Sequence, residues 1–191
     1  MPITGTTLAE AARTFCDHLN RVLASTLTQT RAVLIGPTGV GDDPKVQVTF
    51  RQRGEVVKAP LHTRYGQMGL VLGQVCGSIV NQDRLHELRT LNYRYCLYPE
   101  NTEEPIIRWE YEKEIGPNDL WCRHHVQGPI EVRLNRDTTF CLNDVHLPTG
   151  YVTFEEILRF CIVDLDANPL QPNWHDTLTE SYRRFRVDFV Q

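Results

Sequence analysis

Two strand-like segments separated by a short turn constrain the fold of this chain more than any other feature. Residues 91–98 alternate between the two faces of a strand and are rich in tyrosine, as expected of a half-buried strand. The proline-bounded segment 99–105 forms a turn, and residues 106–112 then run back as a second strand. Strands joined by a short turn pair antiparallel, so the centre of the chain predicts an antiparallel sheet. Further strands are expected at about 120–127 and at 130–134.

Helices are predicted on both sides of this strand-rich centre. A capping box at Thr7 and apolar residues at helical spacing predict a helix over about 8–25. A second capping box at Thr153 predicts a helix of about 154–165, followed by a last amphipathic helix. The apolar face of that last helix consists of Trp174, Leu178, Tyr182, Phe185 and Phe189. The fold class is therefore predicted as α+β, an antiparallel sheet flanked by one N-terminal and two C-terminal helices.

The N-terminal part should contribute a hairpin and a buried helix to the same single domain of 191 residues. Strands are expected at 32–35 and 46–50, and an apolar segment follows at 65–82. Three glycines in that segment are four residues apart, so they would share one face of a helix. They are Gly69, Gly73 and Gly77. We predict a buried helix there, because a row of glycines suits a close packing partner. Residues 1–85 then precede a second part, 86–191, of antiparallel strands and C-terminal helices.

Composition restricts the classes of function. Six cysteines are spread along the chain without a Cys-x-x-Cys pair, which favours reduced, mostly buried thiols in a cytoplasmic protein. The formal net charge of −4 provides no overall basic field, so contact with nucleic acid would need a local basic patch. No segment reaches the roughly 18 apolar residues of a membrane span, and we expect no membrane partner.

Three histidines in two short polar segments carry the residues best suited to chemistry. They are His124, His125 and His146. Imidazole exchanges a proton near neutral pH without a special environment. Neighbouring residues on a strand point to opposite faces, so His124 and His125 are not expected to enter one site together. Arg123 would share the face of His125, and Cys122 that of His124.

The preceding strand carries Arg108 and Glu110 on one face. If that face is open to water, a cation, a carboxylate and an imidazole meet there. Metal-independent RNA cleavage needs a base for the 2′-hydroxyl, an acid for the leaving oxygen and a cation for the phosphate. We expect Arg108 to stabilise the phosphate, His124 or His125 to act as acid or base, and Glu110 to orient an imidazole. His146 would be the second imidazole, and no cofactor is expected.

Other functions compatible with these residues remain open. A zinc site could form from Cys122, His146 and His124 or His125, although this spacing matches no standard zinc motif. The cluster could also be structural. A third alternative is a non-catalytic module, in which the glycine-rich helix and the last helix pack against a partner or a second copy of the chain. The best candidates for contact with RNA phosphates are Arg123, Arg183, Arg184 and Arg186.

The order of motifs over residues 91–165 resembles the TumE family of toxin proteins from bacterial toxin–antitoxin pairs. The motifs are Tyr93-Arg94-Tyr95, Arg108-Trp109-Glu110, Arg123-His124-His125 and the helix-opening segment 153–158. The resemblance implies a cytoplasmic prokaryotic toxin that acts on RNA. It also implies a cognate antitoxin protein, encoded beside the toxin, that inactivates it.

Overall fold

An antiparallel sheet and three helices make up the described part of the computed structural model, which covers residues 3–38, 44–114 and 122–186. The predicted α+β class is confirmed, with one N-terminal and two C-terminal helices. The helices are α1 (Leu8–Thr26), α2 (Phe154–Val163) and α3 (Trp174–Arg186). The strands are β1 (Thr4–Gly5), β2 (Ala32–Thr38), β3 (Lys45–Gln52), β4 (Glu55–Val56), β5 (Ala59–Thr63), β6 (Gly66–Val80), β7 (His86–Pro99), β8 (Ile107–Glu112), β9 (His124–Gln127), β10 (Glu131–Arg133), β11 (Thr139–Cys141) and β12 (Leu147–Pro148).

Two long strands, β6 and β7, form the spine of the sheet. Their antiparallel register runs from Met68 opposite Pro99 to Val80 opposite His86, with a bulge between Val75 and Cys76. The main order is β12-β9-β8-β7-β6-β3-β2, and β1, β4 and β5 add to β7, β3 and β6. The N-terminal and C-terminal parts of the chain therefore share one sheet, while β10 and β11 form a separate hairpin.

The predicted glycine-faced helix over 65–82 is wrong, because most of this segment is strand β6. A spacing of four residues places side chains on one face of a strand as well as on one face of a helix, so it did not separate the two. Pairing with β7 and β3 decides in favour of the strand. A close neighbour does exist at Gly69, where an added Cβ would lie 2.8 Å from the Cβ of Lys58.

Both predicted capping residues begin their helices, but they do so differently. At α2 the box is complete, because Thr153 Oγ1 accepts from the Glu156 N–H and Glu156 Oε2 accepts from the Thr153 N–H. At α1 the Thr7 side chain accepts from the Glu10 N–H, whereas the Glu10 carboxylate accepts from Thr6 instead of Thr7. The strands predicted at 91–98 and 106–112 are confirmed as parts of β7 and β8.

The helices pack on one face of the sheet, which we call the inner face, and we call the opposite face the outer face. Core side chains of α1 and the inner face include Phe15, Leu19, Leu70, Leu72, Tyr93 and Tyr95. Helix α3 contacts α1 and α2 and buries Leu178 completely, so its apolar face packs within the fold. Phe189 and the Phe185 side chain lie outside the described residues. Of the two surfaces proposed for partner binding, the described part of this helix face contributes Leu178 to the core, and the glycine segment is a strand of the sheet.

The six cysteines are all free thiols, and four of them are buried. Among the described residues, no helix combines the length and the apolar character needed to cross a membrane.

Candidate functional site

The outer face of β7, β8 and β9 carries a polar cleft of about 470 Å³. The antiparallel register of β8 and β9 places Glu110 opposite His125 and Arg108 opposite Gln127. Paired residues in a sheet share a face, so these four side chains project together away from the helices. The segment between β11 and β12 adds His146 to the cleft lining.

The carboxylate of Glu110 lies at the centre of this cleft. Its Oε1 accepts from the Arg94 guanidinium of the neighbouring strand β7. Its Oε2 lies 3.5 Å from His125 Nε2 and 3.8 Å from Arg108 Nε. The Glu110 side chain is only 12% exposed, so one carboxylate organises two cations and an imidazole in a partly dry environment.

His125 is buried and held from both sides of its ring. Its Nδ1 lies 2.9 Å from the Cys122 carbonyl oxygen, and a carbonyl oxygen only accepts, so Nδ1 carries a hydrogen. The other ring nitrogen faces the Glu110 carboxylate. An imidazolium can donate to both of these acceptors at once, which makes His125 a suitable proton donor.

His146 is exposed and contacts His125 edge to face, with ring centroids 4.6 Å apart. Partial loss of hydration lowers the pKa of His146 below its usual value. The charges of His125 and Arg108 lower this pKa further, while Glu110 opposes them. The neutral form of His146 is therefore favoured near pH 7, which is the form that accepts a proton.

Arg108 is held in one orientation by two side-chain amides. Its Nη2 donates to Gln127 Oε1 and to Asn143 Oδ1, each at 3.0 Å. Its buried Nε has no hydrogen-bond partner within the described part of the chain. Sequence reasoning missed both amides. Gln127 could have been found as the residue two positions after His125 on the same face, whereas nothing in the sequence pattern indicated Asn143.

The second predicted imidazole of β9, His124, lies on the inner face and does not line the cleft. Its ring stacks on Tyr111, with centroids 4.3 Å apart and planes 7° from parallel. The Tyr93 hydroxyl lies 3.4 Å from its Nδ1, and the Tyr151 ring contacts it edge to face. Burial lowers the pKa of His124, and the neighbouring Arg123 and His125 lower it further. The structure thus separates His124 from the other four predicted site residues.

Of the predicted RNA-contacting arginines, the three whose side chains are described do not converge on the cleft. Arg123 is exposed beside β9 and is not among the cleft-lining residues. On α3, Arg183 and Arg184 are exposed, and Arg184 lines a different cleft of about 250 Å³ between α1 and α3. The backbone of Arg186 ends α3, and its side chain lies outside the described residues.

The groups proposed for a zinc site point elsewhere. Cys122 Sγ donates to the His146 carbonyl oxygen at 3.4 Å, and His125 Nε2 faces Glu110. Within residues 3–38, 44–114 and 122–186, no three or more His, Cys, Asp or Glu side chains are arranged to hold a metal ion. The zinc alternative therefore gains no support from the described geometry.

Comparison with models of protein families, with curated proteins and with solved structures finds no match to this chain. Function is therefore inferred from the cleft and its side chains.

Proposed function

We propose that the protein is a metal-independent ribonuclease that acts as the toxin of a cytoplasmic toxin–antitoxin pair. The observation that supports the catalytic part is the meeting of Arg108, Glu110, His125 and His146 in one water-accessible cleft. The toxin part rests on the resemblance of residues 91–165 to the TumE family.

The proposed reaction is a transesterification within the RNA chain. Neutral His146 takes the proton of the 2′-hydroxyl, and the 2′-oxygen attacks the adjacent phosphorus. The bond from phosphorus to the 5′-oxygen breaks, and His125 gives its proton to that oxygen. The products are a 2′,3′-cyclic phosphate and a 5′-hydroxyl. The Arg108 guanidinium stabilises the charge that accumulates on the phosphate oxygens.

Glu110 has a positioning role in this scheme. Its Oε2 faces His125 Nε2, so it orients this imidazole toward the cleft. Through Oε1 it also holds Arg94, whose side chain is 68% exposed at the surface of the cleft. Arg94 and Arg108 then provide the local positive charge that the net charge of −4 does not.

The test is incubation of the purified protein with total RNA in EDTA. The wild type should cleave RNA, and His125→Ala and His146→Ala should lose that activity. His175→Ala is a matched control, because the His175 side chain on α3 is 61% exposed and does not line the cleft. Cleavage that is lost in EDTA and restored by zinc would favour the metal-dependent alternative. Intact RNA together with a defined protein complex would favour the binding module.

The toxin assignment is tested separately by growth. Expression of the wild-type chain in bacteria should arrest growth, and His146→Ala should relieve the arrest. A wild-type chain that cleaves RNA in vitro but leaves growth unchanged would support the ribonuclease activity and contradict the toxin role.

A further inference from the structure

Two polar side chains at one end of the cleft have no side-chain bonding partner among the residues that the structure describes. Asn92 on β7 and Glu112 on β8 face each other in the strand register, and both line the cleft. Glu112 shares the face of Glu110 and Arg108, because residues two apart on a strand project to the same side. Within the described residues, neither the Asn92 amide nor the Glu112 carboxylate makes a side-chain hydrogen bond or ion pair.

The other end of the cleft is organised differently. There Glu110 binds Arg94, and Gln127 holds Arg108. These polar groups already bind one another, whereas the Asn92 amide and the Glu112 carboxylate lie side by side and remain available to a ligand. The cleft therefore has a cationic end for a phosphate and an end where an amide and a carboxylate can bind a base.

The hydrogen-bonding groups of Glu112 and Asn92 favour one of the four RNA bases. A carboxylate has two acceptor oxygens and binds two adjacent N–H donors in parallel. Guanine offers such donors, N1–H and the N2 amino group, on its Watson–Crick edge, beside the O6 acceptor. Adenine and cytosine present a ring nitrogen acceptor next to their amino group, which a carboxylate repels. Uracil presents one N–H between two carbonyl oxygens.

The spacing along β8 suits one nucleotide. Arg108 and Glu112 are four positions apart on β8, which places their Cα atoms about 13 Å apart. A phosphate against the Arg108 guanidinium and a base against the Glu112 carboxylate fit between them when both side chains reach toward the ligand. A volume of about 470 Å³ is also in the range of a site for a single small ligand.

We propose that Glu112 and Asn92 form a guanine-binding subsite, in which Glu112 accepts from N1–H and the N2 amino group and Asn92 donates to O6. This inference rests on the proposed ribonuclease function for its biological meaning. It predicts that the enzyme cleaves RNA next to guanosine.

The first experiment measures binding of nucleoside monophosphates to the wild-type protein by calorimetry, which requires no cleavage. GMP should bind at least roughly 10-fold more tightly than inosine monophosphate, which lacks the N2 amino group. It should also bind at least roughly 10-fold more tightly than AMP. In Glu112→Gln this preference should disappear, and in Asn92→Ala it should weaken. Glu104→Gln is the matched control, since Glu104 is exposed in the turn between β7 and β8. Equal affinities for GMP, inosine monophosphate and AMP would overturn the inference.

A second experiment separates this inference from the proposed function. RNA oligonucleotides that differ at one position should be cleaved fastest when that position is guanosine. Cleavage that is equally fast with every base would overturn the subsite and leave the ribonuclease intact. A clear preference for GMP with no cleavage of RNA would support the subsite and refute the ribonuclease. A thermal melt of Glu112→Gln near that of the wild type shows that the loss of preference does not arise from unfolding.

Discussion

Two neighbouring histidines of β9 meet opposite environments. His124 lies on the inner face, stacked on Tyr111 and surrounded by tyrosines. His125 lies on the outer face, between the Cys122 carbonyl group and the Glu110 carboxylate. The two side chains are adjacent in sequence and chemically identical. The alternation of the strand puts them on opposite faces, and the packing of the rest of the chain makes one face the aromatic layer and the other the cleft.

This comparison shows that the direction of a side chain decides the role of a histidine here. The inner face offers aromatic surfaces, and partial burial among them lowers the pKa of His124 and favours a neutral, packing imidazole. The outer face offers a carboxylate, guanidinium groups and a second imidazole, which is a set suited to proton transfer. A one-residue shift of the β8–β9 register would exchange these environments.

The largest effect is expected from substitution of the two histidines of β9. Replacing His125 should lower activity, whereas replacing His124 should lower stability. His125→Gln should lower the rate of RNA cleavage by roughly 10²- to 10⁴-fold, because it removes a general acid. His124→Gln should keep the activity per folded molecule but lose about 1 kcal/mol of unfolding free energy, since it removes the stack on Tyr111. The measurements are cleavage kinetics and urea denaturation. Equal losses of activity in both variants would contradict the assignment of catalysis to His125 and of packing to His124.

A smaller effect is expected at Gln127, whose side-chain amide connects Arg108 to the segment that carries His146. Gln127 accepts from Arg108, and its Nε2 lies 3.4 Å from the carbonyl oxygens of Asn143 and Val145. Gln127→Leu should lower kcat/KM for RNA by roughly 10-fold, because Arg108 and the segment that carries His146 lose a common anchor. Gln52→Leu, at an exposed position of β3, is the control. Unchanged kcat/KM in Gln127→Leu would show that the anchor is not needed for catalysis.

The pH dependence of RNA cleavage tests the role of His146 on the outer face. The expected change in kcat/KM is a few fold. The pKa of His146 is lowered from its usual 6.5, and the base must be neutral. Hence kcat/KM should rise with pH along an acidic limb whose midpoint lies below 6.5. In His146→Ala the residual rate should lack this acidic limb. An acidic limb that persists in His146→Ala would assign the base to another group.

The smallest effect concerns stability on the inner face. Burial lowers the folded-state pKa of His124 below the usual 6.5, so the unfolded chain binds a proton at higher pH than the folded chain does. Stability should therefore fall as pH decreases below 6.5. His124→Phe keeps an aromatic ring over Tyr111 and should weaken this decrease. His18, whose pKa is lowered to about 4, and His146, whose pKa is also lowered, remain in the variant, so a residual slope is expected. Denaturant melts between pH 4 and 7.5 measure both slopes.

Much of the secondary structure follows from local patterns. The β7–β8 hairpin was predictable because aromatic alternation and a proline-bounded turn agree with each other. The start of α2 was predictable because Thr153 and Glu156 are close in sequence and need no tertiary contact to pair. The glycine segment failed because its spacing fits both a strand and a helix, and the pairing of β6 with β7 lies outside a local window.

The sequence by itself determined which candidate side chains share a face. The alternation of strands groups Arg108 with Glu110 and separates His124 from His125, whatever the strands pair with. The tertiary structure alone decided that Glu110 stands opposite His125 and that Asn143 reaches Arg108. It also decided that the face shared by Arg108 and Glu110 is the one on which the helices do not pack. These contacts depend on strand register and on where the helices pack, and both are set by long-range burial of apolar surface.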